Sequence, residues 1–200
     1  MHLRSMAARW AAISSLAITA ACDDFALSGL SLGGGAQSLA LVGGDVVAVG
    51  PSGYCVDSRA SNPAQGFAAI VACASLSRSE AIPRRLAFIT LQVGEDGSAF
   101  AVNESTLRSL MRSAQAFDGV GSPDFSVDQG TEAALVVYRS SEPSNPIQGR
   151  AIFDVGERAA VLTLNEIAGA PLSFPAAKRL MIETLRRLRS ANATNGAEGT

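Results

Sequence analysis

Histidine occurs once in these 200 residues, as His2, and lysine once, as Lys178. His2 falls in a leader marked for removal, so the folded region has no imidazole. That absence removes Ser-His-Asp hydrolysis and most catalytic zinc sites. The chain also lacks GxSxG, HExxH and any glycine loop followed by Lys and Ser or Thr. Nucleophile-elbow hydrolases, zincins and P-loop enzymes are therefore not indicated. The run Gly33 to Gly35 lacks the strand and helix that a phosphate loop needs. Aromatic residues make up 6%, and the sole tryptophan, Trp10, lies in the leader, which leaves phenylalanine and aliphatic side chains for the core.

What is present begins at the N-terminus. `MHLRSMAARW` carries Arg4 and Arg9 with no acidic partner, and `AAISSLAITAA` follows as a short apolar stretch rich in small residues. This is the plan of a secretory signal peptide over residues 1–21, and the apolar run is short of the roughly 20 residues of a membrane span. Ala20, Ala21 and Cys22 resemble the lipobox of bacterial lipoproteins, with Thr19 where that motif usually has a leucine-like residue. The resemblance implies lipidation of Cys22, with palmitate among the acyl groups, and a bilayer anchor facing the periplasm. Asp23 after it resembles an inner-membrane retention signal. A soluble periplasmic or secreted protein cleaved near Ala20 or Ala21 is the alternative. With the leader gone, the net charge falls from −2 to about −4, so nucleic acid is not an expected partner.

Lipidation of Cys22 would leave Cys55 and Cys73 as a pair. An exported protein can keep them oxidised, and closing that loop would stabilise by roughly 3 kcal/mol. Two buried free thiols are the alternative. The spacing supports neither CxxC redox chemistry nor a zinc site.

Residues 22–43, rich in Gly, Ser and Ala, read as a flexible tether, followed by one domain over 44–191 and a disordered tail over 192–200. `DVVAVG`, `YCVD`, `FAAIVACASL`, `LAFITLQV` and `ALVVYR` read as strands, and `SRASNPAQG` and `SSEPSNPIQG` as polar loops. Asn103 is placed to cap a helix whose apolar stripe is Leu107, Leu110, Met111 and Ala114, with Arg108 and Arg112 on the solvated side. Gly119, Gly121 and Pro123 break the pattern. `RAIFDVGERAAVLTLNEI` reads as a hairpin turning at Gly156 and Glu157. Ser173 and Pro175 begin a last helix that packs through Ala177, Leu180, Met181, Thr184, Leu185 and Leu188, with Arg186, Arg187 and Arg189 in its final turn. The fold class is α+β, a mostly antiparallel central sheet covered by helices in an α/β/α sandwich.

Over residues 134–191, the hairpin, the `AGAPLS` loop and the helix `AAKRLMIETLRRLRSAN` resemble the closing unit of the PsbP and Mog1-like α/β/α sandwich group. The resemblance implies that helix lying against the sheet, and transfers no functional residue.

Carboxylates remain for chemistry. Asp57 beside Arg59, Asp154, and Glu157 with Arg158 read as surface ion pairs. Asp118, Asp124 and Asp128 do not follow the EF-hand spacing. Lys178, Arg179, Arg186, Arg187 and Arg189 form a basic cluster able to contact phosphates, read first as the helix's wet face. No catalytic, metal or cofactor-binding residue emerges. The expected function is a membrane-tethered periplasmic accessory or binding module with an envelope protein partner. A carboxylate-dependent hydrolase of an envelope polymer, or a domain binding a small apolar molecule, are the alternatives.

Overall fold

Some strands alternate apolar and polar residues and others, such as 133–138, are buried throughout; together they build a sheet with one face closed by a long helix. The computed structural model describes residues 35–113, 123–140 and 147–193. In chain order the elements are β1 (Ser38–Leu41), β2 (Val46–Val49), β3 (Tyr54–Asn62), β4 (Phe67–Ala72), α1 (Cys73–Leu76), β5 (Ala87–Val93), α2 (Glu104–Ser113), β6 (Asp124–Asp128), β7 (Ala133–Arg139), β8 (Ile147–Val155), β9 (Arg158–Glu166) and α3 (Phe174–Ala193). Seven strands form one sheet in the order β3-β4-β5-β9-β8-β7-β6, every neighbour antiparallel. Helix α3 and the β1-β2 hairpin cover one face, and α2 covers the β6-β7 end of the other. The chain is thus α+β, with a large antiparallel sheet flanked by helices.

The larger core lies under α3. Ile70, Ile89, Leu91, Leu135, Phe153, Leu162 and Leu164 meet Leu180, Met181, Leu185 and Leu188 there. Burying each such side chain contributes about 1.5–3 kcal/mol. Helix α3 comes close because Gly149, near the start of β8, has no side chain: a Cβ there would collide with the Met181 sulfur. The smaller core joins Leu107 and Met111 of α2 to Ala134, Val136, Tyr138 and Ile152.

Several expectations need correction. The segment read as the end of a tether is part of the fold: Ala36 bridges Val56, 38–41 is a strand, and Leu41 is fully buried. At the other end α3 runs to Ala193, and the Asn192 side chain accepts the Val47 N–H at 2.8 Å and donates to the Val47 carbonyl at 3.0 Å. The fold therefore includes residues 36–43 and Asn192; the remainder of the tether and tail, and residues 1–22, lie outside the described residues. Arg186, Arg187 and Arg189 are consequently not in the final turn.

`SRASN`, read as loop, continues β3. The Asp57 carboxylate accepts the N–H groups of Arg59 and Ala60, and Ser61 Oγ accepts from Ala69, so side chains carry the strand across an irregularity in the ladder. `FAAIVACASL` divides at Cys73 into β4 and α1. `DFSVD`, read within a broken segment, is strand β6. In α2, Asn103 does cap, accepting the Thr106 N–H at 2.9 Å. Leu110, however, is 42% exposed and is not part of the buried stripe, while Arg108 lies 3.7 Å over the Phe125 ring. Ala114 lies outside the described residues.

Gly149→Val is expected to lower stability by about 1–3 kcal/mol through overpacking against Met181. The measure is the urea midpoint at unchanged slope, and adding Met181→Ala should recover part of the loss.

Candidate functional site

Helix α3 buries Ala177, Leu180, Met181, Thr184, Leu185 and Leu188 against the sheet, and the 3.6-residue repeat turns a second stripe outward. The basic residues of that outer surface divide into two sets. Lys178 reaches Asp124 at 3.5 Å, and Arg189 donates to the Thr131 carbonyl at 3.1 Å and lies 3.7 Å from Glu132. These two tie the helix to β6 and the β6-β7 turn. Arg179, Arg186 and Arg187 face the other way. With Arg85, Ile182 and Glu183 they line a cavity of about 420 Å³. None of the four arginines forms an ion pair or side-chain hydrogen bond among the described residues.

Arg85 is brought there by Tyr54. The Tyr54 hydroxyl donates to the Arg85 carbonyl at 2.7 Å and accepts the Ala87 N–H at 2.9 Å, which pins the segment entering β5. Tyr54 is itself set by the turn Pro51–Tyr54, closed by the Tyr54 N–H on the Pro51 carbonyl at 3.0 Å, with Gly53 at φ +80°. The same turn directs the Ser52 N–H to Glu183 Oε1 at 2.9 Å. That contact occupies one oxygen of the only carboxylate that lines the cavity among the described residues. Burial pushes the Tyr54 hydroxyl up to about 12, against the lowering effect of its bond to Ala87, and Glu183 adds a smaller push upward.

A second cavity of about 420 Å³ adjoins the first and shares Arg85. Its lining is Pro83, Arg84, Leu86, Ala170, Pro171, Leu172, Ser173 and Ala176. Glu166, buried at the end of β9, holds this wall by accepting the Leu172 N–H at 3.1 Å, and the Ala170 N–H closes a turn on the Ile167 carbonyl at 3.0 Å. Ser173 caps α3, accepting the Ala176 N–H.

The other sequence candidates separate. Cys55 and Cys73 are joined, with Cα atoms 4.9 Å apart and both side chains buried; the bond ties β3 to the start of α1. Cys22 and Asp118 lie outside the described residues. Asp57 serves its own backbone. Asp154 accepts the Phe100 N–H. Arg158 pairs with Asp45 at 2.9 Å and Asp96 at 3.5 Å rather than with Glu157. Asp124 and Asp128 stand at opposite ends of β6, and no group of three or more His, Cys, Asp or Glu side chains is placed to hold a metal ion among the described residues. The basic cluster of α3 had a sequence signal. The contribution of Arg85, nearly a hundred positions away, had none.

No protein-family model matches the chain, and no curated protein does. Solved structures do, among them the Saccharomyces cerevisiae Ran-binding protein Mog1p and a point mutant of Mog1. Each is 14% identical, covers 78% of this chain and 93% of its own, and superimposes with a TM-score of 0.46. No helix among the described residues is long and apolar enough to cross a membrane; the membrane-anchored location expected from residues 1–22 is withdrawn. The lipid-anchored protein facing the periplasm, with its membrane, lipoprotein and palmitate terms and its envelope partner, is not carried forward.

Tyr54→Phe should cost about 1–3 kcal/mol at neutral pH by leaving the Ala87 N–H buried without a partner. Because the folded hydroxyl holds its proton to a higher pH than the unfolded one, its contribution is complete below pH 10 and is lost as pH rises from 10 towards 12. The wild type should lose stability across that window in urea titrations, and the phenylalanine variant should lose less.

Proposed function

We propose that this domain is a protein-interaction module that binds an acidic polypeptide segment in the arginine groove along α3. The observation that carries the reading is the convergence of Arg85, Arg179, Arg186 and Arg187 on one cavity with no carboxylate paired to any of them among the described residues. Four guanidinium groups repel one another and are not required by the core. Grouped cations of this kind are satisfied by an incoming anion, and the planar guanidinium suits carboxylates through paired N–H donors.

Concavity favours a protruding chain over a flat lipid surface, and Ile182 adds an apolar floor. The overall negative charge opposes a nucleic acid backbone. A carboxylate-dependent hydrolase has less support. In the cavity beside Gln92 and Glu95, Asp96 faces the Arg158 guanidinium, as does Asp45, and the geometry is that of an ion-pair clasp holding the β1-β2 hairpin to the rest of the domain.

A fluorescent, end-blocked peptide of four glutamates should bind the domain, with affinity falling as salt rises. The double variant Arg179→Gln/Arg186→Gln should weaken it about tenfold or more at unchanged melting temperature, since both residues are exposed. Equal anisotropy titrations for the two proteins would remove the groove from the function.

A further inference from the structure

The second cavity gives the groove a direction and its occupant a composition. From Ala176 to Arg187, α3 rises about 16 Å at roughly 1.5 Å per residue. An extended peptide at about 3.3 Å per residue covers that length with about five residues. The two cavities share Arg85 and differ in chemistry. The α3-side cavity presents Arg179, Arg186 and Arg187. The other is walled mainly by Pro83, Leu86, Ala170, Pro171, Leu172 and Ala176, with Arg84 and Ser173 also in its lining.

Resting on the acidic-segment reading above, we infer that the ligand is a short extended segment carrying one large aliphatic side chain beside its acidic run. The aliphatic group seats between Pro83, Leu86 and Leu172, and the acids lie over Arg179, Arg186 and Arg187. The apolar seat is rigid for stated reasons. Two prolines limit backbone freedom in its walls, Glu166 fixes the Leu172 backbone, and Tyr54 fixes the residues flanking Leu86. A preformed seat reduces the ordering cost of binding. Charge alone gives a salt-sensitive and unselective contact, whereas an aliphatic anchor at a fixed distance from the acids selects among acidic sequences.

The test uses end-blocked fluorescent peptides of three glutamates, a glycine and a leucine, in both chain directions, against the same peptides with serine for leucine. One leucine peptide should bind the wild-type domain about tenfold or more tighter than its serine counterpart, as burial of an aliphatic side chain predicts. Ala176→Leu fills the seat and should abolish that difference while leaving serine-peptide affinity unchanged. Pro83→Ser, at the opposite wall, should reduce the difference independently. Equal affinity of leucine and serine peptides for the wild type would overturn the anchor and leave the acidic-segment reading standing. Failure of every peptide to bind would overturn both. So would binding to vesicles containing phosphatidylserine with no binding to any peptide, which would identify the groove as a lipid-headgroup surface.

Discussion

The close approach of α3 to the sheet over Gly149 is the constraint on which the other features rest. It brings Met181 onto the strand backbone and sets the helix's height and rotation. With the inner stripe engaged, the outer residues have no freedom of placement. Lys178 and Arg189 meet acceptors on β6 and the β6-β7 turn, while Arg179, Arg186 and Arg187 are turned towards the segment that enters β5. Tyr54 completes the arrangement from the sheet side by holding Arg85 at the same height. The groove is therefore a by-product of core packing, in that its walls are the backs of elements whose fronts are buried.

Much of the fold was legible because period and burial agree. The hairpin at Gly156, the Asn103 cap and the apolar stripe of α3 each follow from a local rule, and the structure shows them. Misreadings occurred where side chains supplied what the backbone lacked. Residues 58–62 look like loop by composition, yet Asp57 and Ser61 carry β3 through them. Strand β6 was hidden because Asp124 and Asp128 at its ends are poor strand formers, while its register with β7 is supplied by tertiary pairing. Likewise `SLAL` reads as linker until β2 pairs with it and Leu41 becomes buried.

The site was only half legible. A run of arginines on an amphipathic helix can be a wet face or a binding surface, and the difference depends on which of them find partners. Among the described residues, Lys178 and Arg189 did, and Arg179, Arg186 and Arg187 did not. That division is set by contacts with Asp124, Glu132 and Thr131, distant in sequence, and by Arg85 in `PRRL`, which composition alone gives no reason to associate with the helix. The leader-like N-terminus is the reverse case: a local motif suggested a whole location, and the residues that carry it lie outside the described ones.

Strand order has a consequence for the making of this protein. β9, near the end of the chain, lies at the centre of the sheet, between β5 and β8. During vectorial synthesis the β3-β4-β5 meander and the β6-β7-β8 meander emerge first, each with one long apolar edge unpaired. They cannot join until residues 158–166 leave the ribosome, and the shared face stays wet until α3 follows. Native assembly is thus a late, cooperative event, and a stalled or truncated nascent chain exposes two sticky edges at once.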